Sequence, residues 1–317
     1  MNLPLLPRLS ALACALVALP LHAADLLVAG FDGDVVVRYD GTTGAFVGAF
    51  ASHATMDGPT ALAYGPDGNL YVLNEFSHNV LRFDGATGVF IGEFISPSAL
   101  GAVGLTDPDD LEIGPDGNFY ITSHISTATA AIWKFSSATG AFLDEFGSLG
   151  AVHHTHGLTL GPDGNFYLGD LATATVEKFN GTSGVHLSPF ASNPALDFTG
   201  DLAFAPDGKL YVTRDGPGGV TRYGSGGAPL GPLIPSGASS SYWGILFDAG
   251  SLYLGNKSTG TIKKYTDTGV FVSDFITGAP APFDIAPMVP EPSLGALLAA
   301  GAMVFFRRGL ARVLSVA

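Results

Sequence analysis

The sequence predicts an all-β fold, a six-bladed β-propeller closed by its own C-terminal strand, and three observations carry that prediction. The pentapeptide Gly-Pro-Asp-Gly-Asn occurs at 65–69, 114–118 and 161–165, followed by Ala-Pro-Asp-Gly-Lys at 205–209 and a degenerate Asp248-Ala249-Gly250. These turns are spaced by 42 to 49 residues, the length of a four-stranded blade. A basic residue followed by an aromatic ends a short strand pattern six times, at Tyr39, Phe83, Phe135, Phe179, Tyr223 and Tyr265. Finally, Leu26 to Ala29 has the pattern of a second strand and Pro282 to Ile285 that of a first, so one blade draws on both ends of the domain.

Taken in order, the chain opens with Arg8, an apolar stretch from Leu9 to Leu21 and the small residues Ala23 and Ala24. That is the layout of a secretory signal peptide over residues 1–24, with cleavage near Ala23 or Ala24. Each Pro-Asp-Gly turn is then preceded by an apolar strand (Ala61 to Tyr64, Leu111 to Ile113, Leu158 to Leu160, Leu202 to Phe204, Ile245 to Phe247). Another follows it, reading LYVL, FYIT, FYLG, LYVT or LYLG. Proline fixes φ and glycine permits positive φ, so each pair is a tight hairpin. A third strand ends in the basic-aromatic pair, a Thr-Gly or Ser-Gly turn usually follows, and a fourth strand such as Phe46 to Phe50 or Phe271 to Phe275 completes the repeat. The inner strands are apolar on both faces, as befits sheets sandwiched between neighbours. Residues 25–288 form the propeller.

Residues 289–317 have a different character. Pro290, Glu291 and Pro292 precede the apolar run Leu294 to Phe306, and Arg307 and Arg308 follow it. The run is 13 residues; as a helix it reaches about 20 Å, short of a hydrocarbon core of about 30 Å. The prolines break a helix before the membrane surface, and the paired arginines retain the chain end on the cytoplasmic side. The segment reads as a stop-transfer and processing tail that anchors the chain transiently in the inner membrane.

The only cysteine, Cys14, lies in the leader, so the exported domain has no disulfide and depends on a large core or on metal. Between the terminal segments the chain carries 10 basic and 27 acidic residues, a net charge of −17. Such a domain repels nucleic acid and anionic lipid and suits cations or neutral polysaccharide.

In a blade of this kind, the loops joining strands two to three and those crossing to the next blade share one rim. The Pro-Asp-Gly and Thr-Gly turns share the other. The unusual polar residues fall on the first rim: Asp107, Asp109 and Asp110; His153, His154 and His156; Asp197 and Asp201; with Asn74, Glu75, His78, Ser123, His124, Asp170, Arg214, Asp215 and Asn256 from the inner loops. His153, His154 and His156 with Asp109 or Asp170 could form a mixed nitrogen and oxygen site for a divalent metal such as zinc or calcium. A water-filled polar mouth is the alternative. The column Arg38, Arg82, Lys134, Lys178, Arg222 and Lys264 recurs once per blade, so its stems are expected to cover the sheet. Tyr71, Tyr120, Tyr167, Tyr211 and Tyr253 are expected in the core.

Two resemblances follow from these motifs. The tail, with Pro290-Glu291-Pro292, its apolar run and Arg307-Arg308, resembles the PEP-CTERM sorting signal of Gram-negative bacteria. That resemblance implies export through the Sec machinery, processing by an exosortase, and release to the cell surface or the exopolysaccharide (biofilm) matrix. The repeats, through GPDGNLYV and VLRFD, resemble NHL and gluconolactonase-type propellers. The gluconolactonase resemblance implies a divalent cation held by Glu, Asn and Asp just before inner strands. The corresponding positions here are Thr60, Asp109, His156, Gly200, Trp243 and Phe283, of which Asp109 matches and His156 could substitute. The leading expectation is a non-catalytic binding or matrix protein with a polysaccharide or protein ligand. The alternative is a metal-dependent extracellular lactonase-like hydrolase or lyase.

Overall fold

The computed structural model describes residues 23–123, 130–150, 155–193, 199–215, 219–235 and 241–289. They form six four-stranded antiparallel sheets arranged as blades around one axis. The innermost strands are Pro282–Pro287, Pro59–Tyr64, Pro108–Ile113, Thr155–Leu160, Thr199–Phe204 and Tyr242–Asp248, each beside the next in a closed circuit. The outermost are Phe46–Ala51, Phe90–Ile95, Phe142–Gly150, His186–Ser192, Pro229–Ile234 and Phe271–Thr277.

The ring closes as expected. Pro282–Pro287 pairs with Leu26–Gly30, matching Leu26 with Pro287 and Val28 with Ile285, so the first blade is built from both ends of the domain. The residues of the expected signal peptide, except Ala23 and Ala24, and of the expected tail, except Val289, lie outside the described residues. Among the described residues no helix is long and apolar enough to cross a membrane.

Blades pack through aromatic columns. Tyr71, Tyr120, Tyr167, Tyr211 and Tyr253 are buried near the start of the second strand in five of the six blades. Rings of the same blade and of the next pack against them, as Phe94 does edge-on to Tyr71 at 4.8 Å within one blade, and Phe119 to Tyr71 at 4.5 Å and Phe204 to Tyr167 at 4.8 Å across blades. The Thr-Gly turns dock on the preceding blade. At Gly88 (φ +71°) and Gly184 (φ +70°), an added Cβ would sit 1.8 Å and 1.5 Å from the carbonyl oxygens of Phe50 and Phe146. Only glycine fits both the conformation and the gap.

The basic column lies along the sheet with its stems covered. Lys134 and Lys178 meet the turn carboxylates of Asp116 and Asp163 at 2.6 and 2.8 Å, and their ammonium groups stand over Tyr120 and Tyr167. Two short elements depart from the four-strand repeat, a 3-10 turn at Phe31–Gly33 and a helix at Pro97–Ala102 capped by the Ser96 side chain.

Candidate functional site

The inner strands reach two or three residues further toward the mouth than their apolar patterns suggest, and each carries an irregularity there. Pairing slips between Pro59 and Ala61, Pro108 and Leu111, His156 and Leu158, Thr199 and Leu202, and Tyr242 and Ile245. On the closing strand it slips opposite Val28 to Gly30. A bulge re-aims side chains. Here it turns Thr60, Asp109, Gly200, Trp243 and Phe283 onto an axial cavity of about 30 Å³, room for an ordered water or two.

At the outer level, buried His156 and Asp109 from adjacent blades meet, Nδ1 to Oδ1 at 3.1 Å, and the Gly157 amide donates to Asp109 Oδ2 at 3.3 Å. Trp243 stands edge-on to His156 at 4.9 Å and against Phe283 at 4.5 Å. Lys257 Nζ sits 3.7 Å above the Trp243 ring and 3.5 Å from Asp215 Oδ2, and the Ser241 hydroxyl donates to Asp215 Oδ1. Burial pushes the Lys257 ammonium below its ordinary range. Phe31 stacks on Phe283 at 4.2 Å and meets exposed Phe76 edge-on at 5.1 Å, so aromatic rings wall one side. Beside them, burial and the charges of Asp109 and Asp107 push the Glu75 carboxyl up to about 7.

One residue deeper, three carboxylates alternate with small residues around the ring. Asp284, Asp110 and Asp201 come from every second blade; Ala61, Gly157 and Gly244 occupy the blades between. Each accepts the amide of its own next residue, Ile285 at 2.6 Å, Leu111 at 2.7 Å and Leu202 at 2.7 Å. Each also accepts one from the following blade, Leu62 at 2.8 Å, Leu158 at 2.5 Å and Ile245 at 3.2 Å. The innermost strand is a sheet edge, and these carboxylates supply acceptors for its axial amides. They line the axial cavity. Burial, with the Asp109 charge, pushes Asp110 up to about 7; burial pushes Asp284 to about 6 and Asp201 well above its ordinary value. Thr60 and Trp243 also line this cavity, and their buried Oγ1 and Nε1 atoms find no partner among the described residues.

Of the residues singled out in the sequence, Asp109 and His156 are brought together at the axis. Asp170 is not: it ends the strand Phe166–Asp170 and binds the Ala172 amide and Thr173 hydroxyl of its own turn. His153, His154, Asp197 and the sorting motif Pro290, Glu291, Pro292, Arg307 and Arg308 lie outside the described residues. Among the described residues, no group of three or more His, Cys, Asp or Glu side chains is arranged to hold a metal ion. The family's three-ligand pattern therefore does not fit the described part of the column. Sequence reasoning passed over Lys257, Phe31 and Phe76. It noticed Asp110 and Asp201 as rim residues without their threefold alternation, whose signal is an Asp before Leu or Ile in every second inner strand.

No family model matches the chain, and no curated protein matches it. Solved structures do. A chain of the nidogen–laminin complex superposes with a TM-score of 0.68 at 14% identity, covering 84% of this chain and 98% of its own. A gluconolactonase of Xanthomonas campestris gives 0.53 at 18%, over 73% of this chain and 79% of its own. Virginiamycin B lyase of Staphylococcus aureus gives 0.53 at 15%, over 71% and 73%. At these identities the likeness establishes the propeller fold, a scaffold that hosts unrelated functions.

Proposed function

We propose that this chain is an exported propeller, sorted by its C-terminal segment to the cell surface or exopolysaccharide matrix, where its mouth binds a carbohydrate without transforming it. The observation that carries the reading is the build of the mouth. Two of its charged pairs are tied internally, Asp109 to His156 and Lys257 to Asp215, beside a wall of Phe31, Phe76 and Phe283. Aromatic faces beside fixed polar groups suit the apolar face and hydroxyl edge of a sugar ring. The net charge of −17 favours a neutral glycan over an anionic one. Export rests on the leader and on the Pro290-Glu291-Pro292 tail, with the Sec machinery and an exosortase as partners.

A second reading is favoured by Glu75. A carboxyl held near 7 beside the His156–Asp109 pair could move a proton at neutral pH, as a lactonase-like hydrolase or lyase requires. A metal-dependent form of that chemistry needs ligands beyond the described residues. Isolating the secreted protein without chelator, measuring its metal content and titrating it with neutral polysaccharide separates the two. Glycan binding that survives chelation supports the binding reading. About one metal per chain, lost with His156→Ala together with lactone turnover, overturns it.

A further inference from the structure

Twelve of the fourteen large hydrophobic side chains exposed among the described residues stand at the start of the outer strands, directly after the turn from the third strand. Every blade contributes: Phe46, Ile91, Phe142, Leu187, Leu230 and Phe271 are 42% to 67% exposed. Scattered surface hydrophobics need no explanation, but a girdle repeated on six blades does. Outer strands are also sheet edges, which soluble proteins ordinarily protect with charge or proline.

Both ends of the propeller leave from this rim. Asp25 accepts the Gly41 amide of the first Thr-Gly turn at 3.3 Å, and its carbonyl accepts the Met288 amide at 2.7 Å. Val289 follows, half exposed. The next 28 residues, 290–317, include the apolar run Leu294 to Phe306, so the segment read as membrane-directed continues from the apolar side of the ring. The mouth lies at the opposite end of every strand, about 17–20 Å away. Charge is distributed accordingly. On the apolar rim three turn carboxylates, Asp116, Asp163 and Asp207, are matched by Lys134, Lys178 and Lys209, and Asp40 and Asp84 accept the amides and Thr hydroxyls of their own turns, whereas Glu75, Asp107 and Asp109 crowd the mouth. A protein partner would cover one arc of the girdle, and a second copy would bring a second charge of −17. A plane touches all six blades at once.

We infer that this rim docks on a lipid surface. The membrane-tethered propeller sits with its Thr-Gly side against a zwitterionic bilayer, its outer-strand side chains in the interface, and its mouth directed away into solvent. The inference rests on the export reading for the tether alone; the face that meets the bilayer follows from the girdle and the chain ends.

The test uses the full chain carrying Cys14→Ser, with a fluorophore on a single cysteine at Val47, Leu143 or Val272 on the rim, or at Phe76 at the mouth. All four side chains are exposed, so the substitutions leave the core intact. The chain is mixed with phosphatidylcholine vesicles containing a lipid with a shallow nitroxide. At least twofold stronger quenching at the three rim positions than at Phe76 is expected. If the chain sediments with the vesicles but rim and mouth labels are quenched alike, the tether stands and the docking is overturned. A chain that does not sediment overturns both. Rim labels that become shielded with rising protein concentration in the absence of vesicles mean that a second copy covers the rim, which also overturns the docking.

Discussion

Asp110, Asp201 and Asp284 are acidic residues placed where acid is costly, and they make the domain's stability depend on pH in a specific direction. With Glu112, which burial and the Asp110 charge push up to about 8, they hold protons in the folded state that the unfolded chain has released. Stability contributed by these protons is fully present below the ordinary carboxyl range and is lost as the pH rises through about 6 to 8. The turn acids work the other way. Against the effect of burial, hydrogen bonds from Lys134 and Lys178 hold Asp116 and Asp163 down at about 2, so their contribution is lost only in strong acid. The melting temperature is therefore expected to be higher at pH 5 than at pH 8. Calorimetry across that range checks the sign, and a rising trend would refute it. In Asp110→Asn one amide loses its carboxylate oxygen, at a cost of about 1 kcal/mol at pH 5, while the fall toward pH 8 becomes shallower. At this scale the sequence was partly legible. Asp109 and His156 stood out, because each is separated by one residue from the apolar strand pattern that follows, at the column of positions that enters the inner strands. Lys257 did not, because it meets Trp243 only when neighbouring strands bring the ends of their loops together, and a lysine after an Asn looks like any surface lysine.

Strands were far more legible than side-chain contacts. Each apolar segment read from the sequence became a strand in the expected place, since Pro-Asp-Gly and Thr-Gly turns punctuate the repeat unambiguously. What the apolar pattern could not reveal is the bulged stretch at the mouth end of each inner strand. The alternation breaks where the chain stops serving the core and begins to line the channel, as at Pro108-Asp109-Asp110. The helix Pro97–Ala102 was equally hidden, a short excursion of small residues in a crossing loop. Two predictions belong to elements. Gly184→Ala would force a Cβ against the Phe146 carbonyl at positive φ and is expected to destabilise by about 2 kcal/mol or more, read by chemical denaturation. Deleting Pro282–Pro287 removes the inner strand of the first blade and exposes Leu26 and Val28, which are buried in the intact ring. A large fall in melting temperature or outright insolubility is expected; an unchanged transition would contradict the closure.

The molecule as a whole has two unlike faces set by the strand directions common to all blades. One gathers the crossing loops, the acidic groups and the aromatic wall of Phe31, Phe76 and Phe283. The other gathers the turns, matched ion pairs, exposed apolar side chains and both chain ends. On the proposed reading, a disc tethered by one face would present the other, as a receptor for matrix glycans requires. Its ligand could not be named from the sequence, because the repeat encodes the scaffold sixfold while the mouth is made of the positions at which the repeats differ. The most direct measurement is the affinity of the protein for neutral exopolysaccharide, compared with Phe76→Ala, in the presence of chelator. Phe76 is 59% exposed, so its loss spares the fold. The account predicts an affinity about tenfold weaker, or about 1.4 kcal/mol, with an unchanged melting temperature. Equal affinity of the two proteins would place any glycan elsewhere and contradict the assignment of the mouth.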